Sequence, residues 1–517
     1  MEDKHNIWAN GTGAISRPAL GPQPRAFGSF FDSQGKKLAG IGIILGTVAL
    51  CTVLFLTAIP EEWVWEILRV TSVGLVLFSL FLLPAYRSKA GFVIWWLVLI
   101  SECIFFREGD EASVSKTFHG AFPTAAYGEV IMWVMCLVAL LVCSTRVRGY
   151  VFELFHGNYK WMTYLTLISI ASFVYAPRPL LSVVWGLKLG LIALLIVLCS
   201  TQVRNFEDVV SFLRYSFWAF VIIILQPIIV AMMSGAMFDE EGRMSTIVSP
   251  NALSPNAGAV LLMALALYSV RKGEGLRRSA IWVGLIAAPI MVLAGSKTGI
   301  MAAIISGGLF YLVCRKFGSA FGYIAMTGML VAVLALTTPL GDYFHSYQEK
   351  ESADSFSGRT ILWSAVAPEI KARPIIGHGY MASEFLMFQV NAVGWAAPQM
   401  HNGFLESLYN NGLLGFIPMM AILIVIPVDL YRVLRRVPST EYMYRIAAGT
   451  LSLYVFLLIN GFFNSSFGGK PTAPFMLLLC LLLVSQKLRQ FASPPPALPE
   501  NLRLESIDPL YAHSVRT

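Results

Sequence analysis

Residues 180–200 read LLSVVWGLKLGLIALLIVLCS, an apolar run whose single charge is Lys188. A helix crosses the hydrocarbon core of a bilayer in about 20 residues, the length of this run. That core holds no water to satisfy backbone N–H and C=O groups, so an apolar segment of this length crosses as a helix. Working outward, runs of the same kind recur near 38–59, 67–85, 90–106, 128–144, 161–176, 216–237, 256–270, 280–295, 299–314, 321–337, 412–434, 444–462 and 473–487. Composition agrees with them. Hydrophobic residues make up 56% of the 517 and charged residues only 13%, against about 25% charged in a soluble domain. A disordered chain, a collagen and a disulfide scaffold are excluded on the same ground. The expected fold is an all-α polytopic membrane protein with about 12–14 transmembrane helices and one long periplasmic loop.

Loop charges orient the spans. The net charge of +8 would suit nucleic acid in a soluble protein, but in a membrane protein a cation excess marks the cytoplasmic connections. With the N-terminus inside, the inner connections hold Arg87, Lys89, Arg146, Arg148, Lys160, Arg204 and Arg214. They also hold Arg271, Lys272, Arg277, Arg278, Arg315, Lys316, Arg432, Arg435, Arg436 and Arg445. The outer connections are acidic, with REGDEAS at 107–113 and DEE at 239–241. Both termini are therefore expected in the cytoplasm. The chain divides into a disordered tail at 1–37 without an apolar signal core, a bundle at 38–337, a periplasmic loop at 338–411, further spans at 412–487, and a Pro-rich disordered tail at 488–517. The seven cysteines are scattered through apolar stretches and read as small core residues.

The long loop carries the polar residues worth chemical attention. It contains SGRTILWSAVAPEIKARPIIGHGYMASEF at 357–385 and runs into HNGFLESLYNNGLLGF at 401–416. Were the second string helical from its first residue, His401, Leu405, Leu408 and Gly412 would share a face. Gly412 and Gly415 would then let a helix or lipid chain approach closely. A histidine at the membrane boundary can take a proton from a hydroxyl nucleophile, or it can simply hydrogen-bond within the loop. Three further cations fall on the outer side: Arg243, Lys297 in GSKTG, and Arg359 in SGRTILW. They would suit a diphosphate, and equally snorkelling or pairing with Glu240, Glu241 or Asp354. Lys188, inside a span, is either functional or paired. Glu102, Asp429 and Gln226 are weaker candidates, His378 between two glycines reads as a turn residue, and Trp363 and Trp395 suit the membrane interface. No phosphate loop, HExxH or clustered Cys/His set occurs, so no metal and no cofactor are expected.

Gly358-Arg359 and Trp363, then Arg373-Pro374 and Gly377-His378-Gly379-Tyr380, then His401-Asn402 through Gly412 and Gly415, resemble the signature of the O-antigen ligase/polymerase superfamily. With Ser296-Lys297-Thr298 added, the pattern is most similar to exopolysaccharide polymerases of the Wzy/ExoQ type. The resemblance is strongest over 357–416 and weaker from about 243 to 300, where Lys297 stands at a position that is often arginine in the ligases. It implies a membrane glycosyltransferase of the bacterial inner (cytoplasmic) membrane, acting on undecaprenyl-diphosphate-linked oligosaccharide at the periplasmic face. It also implies His401 as catalytic base and Arg359 as a diphosphate ligand, aided by Lys297 and Arg243, with Asn402, Gly412, Gly415 and Lys188 in support. Besides the donor and the bilayer, the partners it implies are a chain-length regulator and export machinery. A ligase delivering polymer to lipid A-core is the nearest alternative. A transporter without chemistry, or a scaffold for an export complex, is further off, because the polar residues gather outside rather than at the midplane.

Overall fold

Each apolar run that falls on described residues is a helix. The computed structural model describes residues 89–104, 133, 152–234, 237–239, 242–244, 249–269, 274–341, 359–383 and 400–493, all within the unit Leu68–Thr517. The expected spans 38–59 and 67–85, the tails 1–37 and 494–517, and all of 128–144 but Trp133 lie outside these residues. So do Gly358, Trp395 and the acidic REGDEAS stretch.

In chain order the helices are α1 (Ala90–Ile104), α2 (Lys160–Ala171), α3 (Pro179–Gln202), α4 (Phe206–Ser234), α5 (Pro250–Tyr268) and α6 (Glu274–Leu293). They continue as α7 (Lys297–Val313), α8 (Phe317–Thr337), α9 (Arg359–Ala372), α10 (Gly403–Arg436), α11 (Tyr442–Phe463) and α12 (Ala473–Ala492). Among the described residues, eight are long and apolar enough to cross a membrane. Helices α1, α2 and α7 are apolar but shorter. The protein is an all-α polytopic membrane protein. The nearest thing to a strand among the described residues is one isolated bridge, Phe238 to Met244.

Sequence dictates which helices lie inside. The run Leu477–Val484 in α12 is apolar on every side, and such a helix belongs at the centre. All eight of its residues are buried, and α12 packs on α3, α4, α10 and α11. Helix α8, by contrast, packs on α6 and α7 and leaves Phe317, Phe321, Met329 and Leu336 on the exterior, where a bilayer is the natural solvent.

Contacts sort the connections between helices to two ends. At one end the turn after α2 and the first turn of α3 meet the loop after α9: Tyr175 donates to the Ile376 carbonyl at 2.7 Å and Ser182, in α3, to that of Tyr380 at 2.7 Å. The turn between α11 and α12 joins them, its Gly469 carbonyl accepting from the Tyr380 hydroxyl at 2.7 Å. At the other end the Asp429 carboxylate accepts from Arg489 at 3.0 Å and from Asn158 at 3.0 Å. These groupings agree with the alternation that loop charges suggested.

One boundary differs from expectation. Helix α10 starts at Gly403 rather than near 412, because Asn402 caps it. The Asn402 side-chain oxygen accepts from the backbone N–H groups of Phe404 at 3.0 Å and Leu405 at 3.1 Å. The polar residues of its first turns had hidden that start from a hydropathy reading.

Candidate active site

His401 stands just before this cap, half-buried, with φ at 50°. It is therefore not the first residue of a helical stripe, as its spacing to Leu405 and Leu408 had suggested. The buried face of the first turns is the polar one, made by Glu406, Ser407, Asn410 and Asn411, while Leu405 and Leu408 are only partly covered. Beside a membrane the rule of soluble helices turns over: apolar side chains can face lipid, and polar ones must be satisfied within the protein. A left-handed backbone costs an L-residue free energy and persists only where neighbours enforce it. Here the preceding Met400 is fully buried, and its carbonyl accepts from the Trp363 indole at 3.0 Å. Trp363 in turn lies edge-on to Phe462 of α11, with ring centres 6.1 Å apart. Behind the cap, Gly403 lies so close to the Phe467 carbonyl that a β-carbon would overlap it.

Arg359 is the cation that bears on His401. Burial, and then the positive charge of Arg359, push the His401 imidazole down to about 4. At neutral pH the ring is thus uncharged and able to accept a proton. Arg359 is also the first residue of α9, where a cation is disfavoured by the positive end of the helix dipole. Lys297 opens α7 in the same way, behind a Ser296 cap that accepts from the Gly299 N–H at 3.4 Å. Two helices that begin with a cation present two ends attractive to an anion.

Lys297 and Arg243 belong to one neighbourhood. The Arg243 side chain lies across Gly295, where an added β-carbon would meet its Cγ at 3.0 Å, and the next residue, Met244, donates its N–H to the Leu293 carbonyl at 2.8 Å. Arg243 is also paired with Asp239 at 3.1 Å. Lys188 sits buried in α3, its ammonium 4.6 Å from the Trp185 ring centre and 5.2 Å from that of Trp133. The Lys470 ammonium also lies near this group, 5.3 Å from the Trp185 ring centre. Lys188 is thus held by aromatic faces as well as by depth. Among the described residues no group of three or more His, Cys, Asp or Glu side chains gathers.

Gly412 does something other than admit a helix or lipid chain. Helix α10 is broken there, with φ 56° and ψ −160°, a region open essentially to glycine alone. In an unbroken helix, Leu413 and Leu414 would donate to the carbonyls of Tyr409 and Asn410. Instead they donate to Pro374 at 2.9 Å and Ile375 at 3.1 Å, while His378 and Gly379 donate to Tyr409 at 2.8 Å and Asn410 at 2.9 Å. The loop after α9 has inserted into the break and replaced both lost hydrogen bonds in each direction. Backbone meets backbone where Gly377 faces Gly412, so a side chain fits at neither. His378 is the turn residue its flanking glycines implied (φ 69° at Gly377, 106° at Gly379), stacked on Tyr409 with ring centres 4.4 Å apart. Gly415 packs against the Asn411 side chain of its own helix.

This stretch, from the Lys297 turn through Arg359 to the broken start of α10, also stands out in comparison with known proteins. Residues 282–420 match the O-antigen ligase family. Over this stretch the chain is similar to that family, in agreement with the O-antigen ligase/polymerase superfamily resemblance. The matched residues take in Lys297, Arg359, His401, Asn402, Gly412 and Gly415 and leave out Arg243 and Lys188. No curated protein matches the chain. Glu406, Asn410, Ser383 and Lys470 were missed from sequence. The i, i+4 spacing of Glu406 and Asn410 on one face of a capped helix was the available signal for two of them.

Proposed function

We propose that the protein is a glycosyltransferase that polymerises undecaprenyl-diphosphate-linked oligosaccharide repeats into exopolysaccharide or O-antigen, at the periplasmic face of the bacterial inner membrane. One observation carries this reading: a neutral, half-buried imidazole whose basicity is lowered by burial and then by an arginine at the start of a helix. The acceptor hydroxyl passes its proton to His401 as its oxygen bonds to the anomeric carbon of the donor. The bond from that carbon to the diphosphate oxygen breaks, and the lipid diphosphate leaves with the electron pair. Arg359, with Lys297 and Arg243 as further cations, meets the charge that grows on the leaving oxygens. Direct displacement inverts the anomeric centre.

The family description favours a second reading, ligation, in which the same donor is transferred once to a different acceptor such as lipid A-core. The two share a donor site and differ in acceptor and product. Purified protein given lipid-linked repeats alone makes a ladder of oligomers if it is a polymerase. A single transfer that needs an added lipid A-core acceptor would make it a ligase and overturn the polymerase reading. A chain-length regulator and export machinery are partners to be sought by co-purification.

A further inference from the structure

The polar face of the first turns of α10 holds a buried carboxylate that the reaction just described does not use. Glu406 is 4% exposed and accepts from the Ser383 hydroxyl at 3.1 Å. Its carboxylate also rests against Gly469, at a place where a β-carbon would overlap it. One turn on, Asn410 accepts from the Ser383 N–H at 2.8 Å and donates to the Gly468 carbonyl at 3.1 Å. Glu406 and Asn410 thus bind two separate connections, 373–383 and 464–472, to one face of one helix. The Tyr380 hydroxyl ties those connections to each other through the Gly469 carbonyl at 2.7 Å.

We propose that Glu406 is a positioning residue for His401, fixing the first turn of α10 so that the imidazole is presented in its left-handed conformation. The link is short. The Glu406 N–H donates to the Asn402 carbonyl at 3.0 Å, the first bond of the helix, and Asn402 is both its cap and the residue after His401. A strained backbone is kept only where its surroundings over-determine it. Glu406 and its two loops supply that constraint from below, as Trp363 does from the side through Met400. A ring displaced by about 1 Å from a reacting hydroxyl costs about a hundredfold in rate. The proposal rests on His401 being the base of the proposed transfer.

The test uses the full chain in lipid, with the lipid-diphosphate oligosaccharide donor, measuring kcat, donor KM and thermal unfolding for each variant. Glu406→Ala is expected to lower kcat about a hundredfold while donor KM moves less than about threefold, since donor contacts are untouched. Glu406→Gln is expected to recover most of that loss, because its amide oxygen still accepts from Ser383. Gly469→Ala pushes on the same carboxylate from the other side, so it lowers kcat too, and adding it to Glu406→Ala costs little more. Should Glu406→Ala fail to fold, Ser383→Ala removes the same hydrogen bond from the loop and is expected to lower kcat in the same sense. Wild-type kcat in folded Glu406→Ala overturns the proposal, as does a Gln variant as slow as the Ala variant. A fully active His401→Ala would sink the transfer reading along with it. An active Glu406→Ala beside an inert His401→Ala overturns the positioning role alone.

Discussion

His401 illustrates how a residue's surroundings set what it can do. An ordinary histidine is half-protonated near pH 6.5, but burial and Arg359 bring this one to about 4. Its neutral form therefore persists through the physiological range, and the acidic limb of kcat/KM is expected near pH 4 rather than near 6.5. A limb at 6.5 would show that the imidazole is not buried beside a cation. Arg359→Ala removes the smaller of the two causes. The imidazole should then titrate higher, though still below 6.5, because burial remains. Histidine-selective NMR in micelles, with the signal assigned by its loss in His401→Ala, reads this shift directly. The same imbalance bears on stability. With a folded value near 4 and an unfolded value near 6.5, the unfolded state binds the proton first. The contribution is present in full above pH 6.5 and is lost as the pH falls towards 4.

At the scale of elements, the break in α10 is the feature that arranges the site. A loop threaded into a helix exchanges two hydrogen bonds in each direction, so the chain changes course without leaving a backbone group unsatisfied in an apolar setting. Gly412→Ala puts a β-carbon where the Ile375 carbonyl lies, in a backbone region that alanine avoids. It is expected to lower the folded yield strongly and to abolish transfer in what remains, and Gly415→Ala, whose new β-carbon would overlap the backbone-fixed β-carbon of buried Asn411, is expected to lower the yield as well. Detergent-extracted yield and a thermal melt check this, and a wild-type melt for Gly412→Ala would contradict it. The sequence could announce the glycines but not their purpose. GLLG before an apolar run reads as a close-packing motif, and only the fold shows that its neighbour is the backbone at 375–377. The helical stripe drawn through His401 failed for a related reason. A periodicity argument assumes that the residue belongs to the helix, and Asn402 caps it one position later.

At the scale of the molecule, hydropathy read nearly everything that it is able to read. Each apolar run on described residues is a helix, because a backbone in hydrocarbon has one economical way to pair its own groups. Proximity was less legible. Arg359 and His401 lie far apart in sequence, and their electrostatic contact depends on a loop course that periodicity does not encode. Asp429 was ranked low from sequence, yet its carboxylate ties α10 to α12 through Arg489 and to the segment before α2 through Asn158. Asp429→Ala removes that tie at the end of the bundle opposite the site. It is expected to cost about 1–3 kcal/mol of stability, seen as a lower melting temperature, with transfer per folded molecule unchanged. Loss of transfer in a fully folded Asp429→Ala would mean that the two ends are coupled.

The most direct test of the account is reconstitution of the full chain in vesicles with undecaprenyl-diphosphate-linked repeats, the products being sized for wild type, His401→Ala and Arg359→Ala. A ladder of lipid-linked oligomers is expected from the wild type and none from the folded, membrane-inserted His401→Ala, with Arg359→Ala strongly reduced. A ladder of normal length from His401→Ala would contradict it.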